Sequence, residues 1–288
     1  TAWAFAKVDH ASPALFDALA AASTALLGDF KPRELANTAW AFATEGHASP
    51  ELFDMLAAAS IARVGDFKSQ NLANMVWAFA TVGHASPALF DAFAAASTTR
   101  LGNFKLQELT NMAWAFAVAD HASPILFDDR FACRCEAEIG AEETHLSQLH
   151  QWLLWRAEQG LSLLVSPLFA QHCHDTFVMS STLPSLLQQQ VGVVLASLGL
   201  SCKHEWTTSL GYTIDIVVEW CGETIGIEVD GPSHFMMRLP NGRTQLKRRQ
   251  LQGLAGWRLV SIPFWEWDEL VGSEKRQREY LVHTLDGL

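Results

Sequence analysis

The chain has 288 residues, and its 20 Lys and Arg stand against 31 Asp and Glu, a formal net charge of -11. That balance excludes a surface that grips phosphate everywhere, because phosphate contacts need local Lys and Arg, though it leaves room for a local basic patch. With 49% hydrophobic and 18% charged residues, the chain also falls outside the disordered class and is long enough for one large or two ordinary domains.

From the amino terminus, Trp3, Trp40, Trp77 and Trp114 recur every 37 residues, as do His10, His47, His84 and His121. Across 1–37, 38–74 and 75–111, 20 of 37 positions are identical in all three copies, and a partial fourth copy runs from Met112 to about Asp128. Each unit reads as a helical hairpin. The pairs at Ser12-Pro13, Ser49-Pro50, Ser86-Pro87 and Ser123-Pro124 set an N-cap hydroxyl before a proline, whose missing N–H costs nothing at the first helical position, so a helix is predicted to start at each. In the second copy it is predicted to stop near Gly65. A second helix then follows Lys68, with Leu72, Val76, Phe79 and Ala80 on one stripe, and ends near Gly83-His84.

A 37-residue hairpin cannot bury its own apolar face, so neighbours must stack into an α-solenoid, an architecture that presents long binding surfaces. The repeated His, Asn37/Asn74/Asn111 and Lys31/Lys68/Lys105 admit two readings. The favoured one has His and Asn satisfying inter-helix loops while the lysines are solvated; the alternative is ligand contact. Since Thr1 aligns with Thr38, inside a helix, the chain reads as the carboxyl-terminal part of a longer array.

Beyond Asp128 the period is lost. Residues 130–182, with Glu136, Glu138, Glu142 and Glu143 and then Leu149, Trp152, Leu153 and Trp155 at helical spacing, read as one or two linking helices. A helix from Ser185 to Leu198 follows, then strands over Cys202–Thr208, Tyr212–Trp220 and Thr224–Asp230, a basic helix over Thr244–Leu254, a strand over Trp257–Ile262 and a last helix over Glu274–Leu285. The order is α-β-β-β-α-β-α. The expected division is a helical array over 1–130, linking helices over 131–183 and a small α/β domain over 184–288.

Strand alternation puts Asp215 opposite Ile214, Ile216 and Val218, and Glu228 and Asp230 opposite Ile227 and Val229, so three carboxylates can converge on one face of a strand pair. Carboxylates held together repel unless a cation, a basic side chain or protons intervene, which makes the cluster a site signal. Mg²⁺ suits one or two carboxylates plus substrate oxygens. Beside it, Arg243, Lys247, Arg248 and Arg249 concentrate positive charge within seven residues. These and His234 are candidate RNA contacts, with Trp257, Trp265 or Trp267 available for stacking. The competing reading pairs Lys247 and Arg248 with Asp215, Glu228 or Asp230 and places the tryptophans in the core, the favoured position for the tryptophans.

Cys133, Cys135, Cys173, Cys202 and Cys221 lack regular spacing and fit a reducing compartment. Neither the C-x-C at 133–135 nor His172-Cys173-His174 has the second half of a zinc site. No run of 18 apolar residues predicts a membrane span, and no targeting segment stands at the start.

The runs I-D-I-V-V-E-W (214–220), I-G-I-E-V-D-G-P-S-H-F (225–235) and N-G-R-T-Q-L-K-R-R-Q-L-Q-G-L-A-G-W-R-L-V-S-I-P-F-W-E-W (241–267) resemble a RAP domain, over roughly 184–288. Helical arrays of octotricopeptide or FAST-kinase-like type accompany such domains in organellar RNA-binding proteins. The RAP domain is in turn similar to the restriction-endonuclease-like fold, whose pattern is Asp and then Glu-x-Lys. Asp215 matches the first acid and Glu228 the second. Asp230 stands where the lysine belongs, and Lys247 is the candidate replacement.

The resemblance implies binding of single-stranded RNA in a mitochondrion or chloroplast, in RNA maturation, stability or translation, with no cofactor required. Two alternatives stand beside it. One is an Mg²⁺-dependent nuclease using Asp215, Glu228, Asp230 and Lys247, with Asp215 and Glu228 as metal ligands. The other is a protein-interaction scaffold, suggested by the acidic, alanine-rich repeats.

Overall fold

The computed structural model describes residues 2–7, 12–47, 49–137, 142–179 and 184–287, so His10 and Glu138 lie outside the described residues. It is mostly helical, with a small mixed sheet near the carboxyl end. Two compact units divide the chain, residues 1–173 with 236–246, and residues 174–235 with 247–288.

The first unit holds α1 (Ala2–Lys7), α2 (Pro13–Leu26), α3 (Pro32–Thr44), α4 (Pro50–Ile61), α5 (Ser69–Val82), α6 (Pro87–Thr98), α7 (Leu106–Val118), α8 (Asp129–Glu136), α9 (Glu143–Glu158) and the start of α10 (Pro167–Met179). Helices α2, α4 and α6 begin on the prolines, as their S-P pairs predict. The serine hydroxyls make no capping bond, however. The serine carbonyls open each helix instead, receiving the amides of Phe16, Phe53 and Phe90 at 3.0–3.2 Å.

At the fourth S-P pair no helix starts. The amides of Leu126 and Phe127 turn back on the Ser123 carbonyl, and the Asp128 carboxylate then captures the amides of Arg130 and Phe131, which restarts the chain as α8 at Asp129. Gly65 likewise does not close α4, which stops at Ile61. It lies in a 3-10 turn, Val64–Asp66, while Gly83 ends α5 in the left-handed conformation (φ 69°) that a Cβ would disfavour.

Layering explains the repeated residues. Helices α1, α3, α5, α7 and α9 pack in succession, and α2, α4 and α6 form the other layer. Small residues such as Ala39, Ala73, Ala78, Ala113 and Ala115 are buried where backbones approach closely. Around His47, His84 and His121 the ring packs against two Phe rings, for example Phe53 and Phe79 around His84 at 5.7 and 5.6 Å. Its Nε2 meets an Asp one helix back: His47 with Asp17 at 3.0 Å, His84 with Asp54 at 2.9 Å, His121 with Asp91 at 2.8 Å. The structural reading of these histidines therefore holds for the described copies.

An unforeseen clamp joins the copies. Arg63 donates to the carbonyls of Leu27 (3.0 Å) and Phe30 (2.5 Å), and Arg100 repeats the contact on Val64 (3.4 Å) and Phe67 (2.7 Å). The Leu27 and Val64 carbonyls already accept the amides of Phe30 and Phe67, and the guanidinium fork adds a donor to each turn from the following copy. Arg134 of α8 donates to Phe104 in the same way at 3.0 Å.

Where one or two linking helices were expected there are three, and two of them extend the stack. Helix α9 packs on α7, with Leu146, Leu149, Trp152 and Trp155 in the same core as the repeats. The segment 236–246 also belongs to this unit. A Cβ at Gly242 would lie 2.0 Å from the Ala80 carbonyl oxygen and 2.7 Å from Val118, so only glycine permits this approach to the ends of α5 and α7.

The second unit contains α11 (Leu186–Ser197), β1 (Lys203–Thr207), β2 (Thr213–Trp220) and β3 (Glu223–Asp230). A ribbon of two short strands follows, β4 (Phe235–Met236) and β5 (Leu239–Pro240), then α12 (Gly242–Ala255), which the division between units crosses, β6 (Arg258–Pro263), α13 (Phe264–Asp268) and α14 (Glu274–Asp286). The sheet order is β1-β2-β3-β6, antiparallel except for the parallel β3/β6 pair. The ribbon and α13 were not anticipated, because two-residue strands and a five-residue helix are too short for a periodic signal. Ile216, Val218, Ile225, Ile227, Val229, Val260 and Ile262 form the core with Val191, Leu195 and Trp267, which leaves the alternate residues on the other side of the sheet.

Candidate functional site

Alternation on β3 puts Glu228 and Asp230 on the side opposite the core residues Ile227 and Val229, and both are buried (2% and 0% exposed). Two ionised carboxylates cannot stay in such a place alone, since an unpaired buried charge costs several kcal/mol. Helix α12 supplies the partners from consecutive positions. Lys247 Nζ lies 2.6 Å from Glu228 Oε2, and Arg248 Nη2 donates to Asp230 Oδ2.

Asp230 is saturated. His234 Nδ1 lies 2.7 Å from Oδ1, and the Ser261 hydroxyl, which accepts from Arg248 at 2.8 Å, donates to Oδ2 at 2.6 Å. Burial alone would raise this carboxyl. The hydrogen bond with His234, the Arg248 guanidinium and the Ser261 hydroxyl together outweigh it and hold Asp230 below the ordinary carboxylate range.

Glu228 is held differently. Burial pushes it up to about 7, Lys247 opposes the shift, and Asp215 adds repulsion. Its Oε1 is buried without a hydrogen-bond partner among the described residues. Asp215 is also raised, chiefly by burial, with Lys247 and the Val229 amide working against the rise. The β2/β3 ladder ends at the Ile216–Ile227 pair, and beyond it the Asp215 carboxylate accepts the Val229 N–H at 2.7 Å.

The structure thus gathers Asp215, Glu228, Asp230, His234, Lys247 and Arg248 in one unit. Arg243 is exposed and lies on the segment that belongs with the helical array. Arg249 is half-buried next to Arg248. The pairing of Lys247 and Arg248 with Glu228 and Asp230 corrects the picture of a freely basic helix, since these two cations are committed internally. Of the tryptophans, Trp267 is core, while Trp257 and Trp265 are half-buried, Trp265 lying edge-on to Phe235 at 4.4 Å.

Two participants went unnoticed in the sequence. Glu205, on β1 with φ 49°, is raised by burial and by repulsion from Asp215, and Lys247 opposes that rise. Gln188 of α11 stands by Asp215 and works to lower its carboxyl. Nothing in K-H-E-W-T alternates, so β1 carried no signal for Glu205; Gln188 could have been noticed only as the partner of Ser185 in a capping box, which it also is.

For a divalent cation the fit rests on Asp215 and Glu228, whose orphaned oxygen is a ready ligand. Among the described residues no group of three or more His, Cys, Asp or Glu is placed to hold a metal, so the rest of any shell would come from water and substrate. No helix is long and apolar enough to cross a membrane among those residues.

Comparison with known proteins places relatives on both segments. Residues 227–284 match the RAP domain model, and residues 1–128 match that of the RNA-editing substrate-binding complex 6 protein. A stretch of 103 residues is 44% identical to a RAP domain-containing protein, chloroplastic, from Oryza sativa subsp. japonica, covering 35% of this chain and 15% of that relative.

Proposed function

We propose that this chain, which carries a RAP domain at residues 227–284 behind a helical array, is an RNA-binding protein of organellar RNA maturation, stability or translation. In this reading the array holds a single strand and the RAP-containing unit engages an RNA end. The observation that carries it is the coincidence in one chain of the RAP domain with an array matching the RNA-editing substrate-binding complex 6 protein family. The chloroplastic relative supports an organelle as the setting. Because Lys247 and Arg248 are internally paired, phosphate contacts are assigned to exposed cations such as Arg243.

Binding of labelled single-stranded RNA, titrated at several salt concentrations, tests the reading. Affinity is expected to fall steeply with salt, and Arg243→Glu to weaken binding at all sequences alike. Absent or salt-independent binding would sink it.

A second reading, a metal-dependent nuclease with a restriction-endonuclease-like core, is favoured by one observation: Asp215, Glu228 and Lys247 meet, with an oxygen of Glu228 left open. Asp215 and Glu228 would hold Mg²⁺, which supplies Lewis-acid chemistry when bound. Lys247, reaching the site from a helix, stands in for the lysine that Asp230 replaces. In the same assay with Mg²⁺ or Mn²⁺, cleavage that disappears in Glu228→Gln supports this reading, and intact RNA overturns it.

A further inference from the structure

Helices α3, α5 and α7 each carry the same three residue types at the same positions, an N-cap lysine and an asparagine and tryptophan on one face. An exposed lysine stands just before each helix: Lys31, Lys68 and Lys105. Six residues on comes an asparagine, Asn37, Asn74 or Asn111, and three residues further a tryptophan, Trp40, Trp77 or Trp114. Residues three apart share a helix face. Because these helices pack side by side, the three residue types form three parallel rows across the array, one rung per repeat, at the spacing of packed helices, about 8–10 Å.

The rungs are not equivalent. Helix α9 closes the last one: Gln148 donates to Asn111 Oδ1 at 3.0 Å, and Trp114 is 5% exposed. On the first two rungs Trp40 and Trp77 are half-buried, and the amides of Asn37 and Asn74 have no hydrogen bond within the described residues. Helix α9 shows what a partner for such an amide looks like on this face. The Trp77 and Trp114 rings lie 6.4 Å apart and tilted by 33°, so the two aromatic side chains meet across α5 and α7.

We propose that this face is a track for single-stranded RNA, with phosphates on the lysine row and unpaired bases between the asparagine amides and the tryptophan rings of the open rungs. The inference rests on the RNA-binding reading and adds the residues and the register. The chemistry matches on three counts. Lysine supplies the local positive charge that an acidic array otherwise lacks. An asparagine amide offers both donors and an acceptor to a base edge. A tryptophan face stacks on any base. An extended acidic peptide could also use lysines and amides, and the RNase-resistant pull-down in the test separates that occupant from RNA.

The test is equilibrium binding of a labelled RNA 12-mer to the full chain, with salt titration. Asn37→Ala with Asn74→Ala is expected to lower affinity about tenfold or more without changing the salt slope. Lys31→Ala, Lys68→Ala and Lys105→Ala together should reduce the slope of log affinity on log salt by about 2, at roughly 0.7 per phosphate. Asn111→Ala serves as the internal contrast: it should lower thermal stability and leave affinity nearly unchanged. Unaltered affinity and slope in the first two variants, both folded, would overturn the track while the RNA-binding reading stands. Failure of the unaltered chain to bind RNA would overturn both. Loss of a protein partner in an RNase-resistant pull-down, with RNA affinity intact, would reassign the face and overturn the track.

Discussion

Arg248→Ala is expected to lower the stability of the carboxyl-terminal unit by about 3–5 kcal/mol, the largest effect of any single substitution at the site. Asp230 is fully buried, and Arg248 is its cationic partner within α12 and also holds Ser261 in place. Truncation leaves a buried carboxylate with only the Ser261 hydroxyl and a half-exposed His234 to compensate it. Urea unfolding of Arg248→Ala, Asp230→Asn and the double variant measures the loss. The double variant should recover most of it, because with both charges gone no uncompensated ion remains. Additive losses in the double variant would show that the pair is not coupled. The same network sets an acid limit. Asp230 is held below the usual carboxylate value, so its contribution is present above the unfolded value and disappears as pH falls through the lower folded one.

Glu228→Gln should act with the opposite sign. The folded Glu228 titrates near 7, above its ordinary value of 4.5, so the folded state binds this proton more tightly than the unfolded one. Its contribution is therefore present in full below the unfolded value and is lost as pH rises through about 7. Between pH 5 and 8 the unaltered chain should lose stability on the order of 2–3 kcal/mol that the variant does not lose. The groups facing Glu228 sharpen this expectation. Asp215 is raised too and steepens the slope, while Lys247 opposes both shifts. Unfolding free energies measured at each pH would decide the matter, and parallel curves for the two proteins would refute the assignment. The measurement also bears on chemistry, since a carboxyl that titrates near neutrality is suited to exchanging protons or accepting a cation.

Much of this protein was legible before folding. The tryptophan and histidine period announced stacked hairpins, since a unit that small cannot bury its own apolar face. The alternation of I-D-I-V-V-E-W and I-G-I-E-V-D placed Asp215, Glu228 and Asp230 on paired strands, because side-chain direction in a strand is fixed by parity. The proline starts of α2, α4 and α6 were equally local, as were the strand pair and the basic helix. The resemblance to the RAP domain rests on three local runs, with D-G-P-S-H and the later G-W the most specific, and such runs need no tertiary information.

What only the tertiary structure decided depends on residues distant in sequence meeting in space. Periodicity could not show that Asp128 would take the amides of Arg130 and Phe131 and delay the fourth helix, nor that Arg63 and Arg100 would reach back to carbonyls in the preceding copy. It could not choose between a basic helix facing solvent and one facing acid. That choice was made by burial: with Glu228 and Asp230 sealed beneath α12, the cost of leaving them unpaired draws Lys247 and Arg248 inward. The sequence by itself determined which side chains carry charge and on which strand face they lie, because both are local properties. Whether those charges are spent on each other or offered to a ligand was set by packing, which moved the search for positive charge from Lys247 and Arg248 to Arg243 at the start of α12 and the lysines along the array.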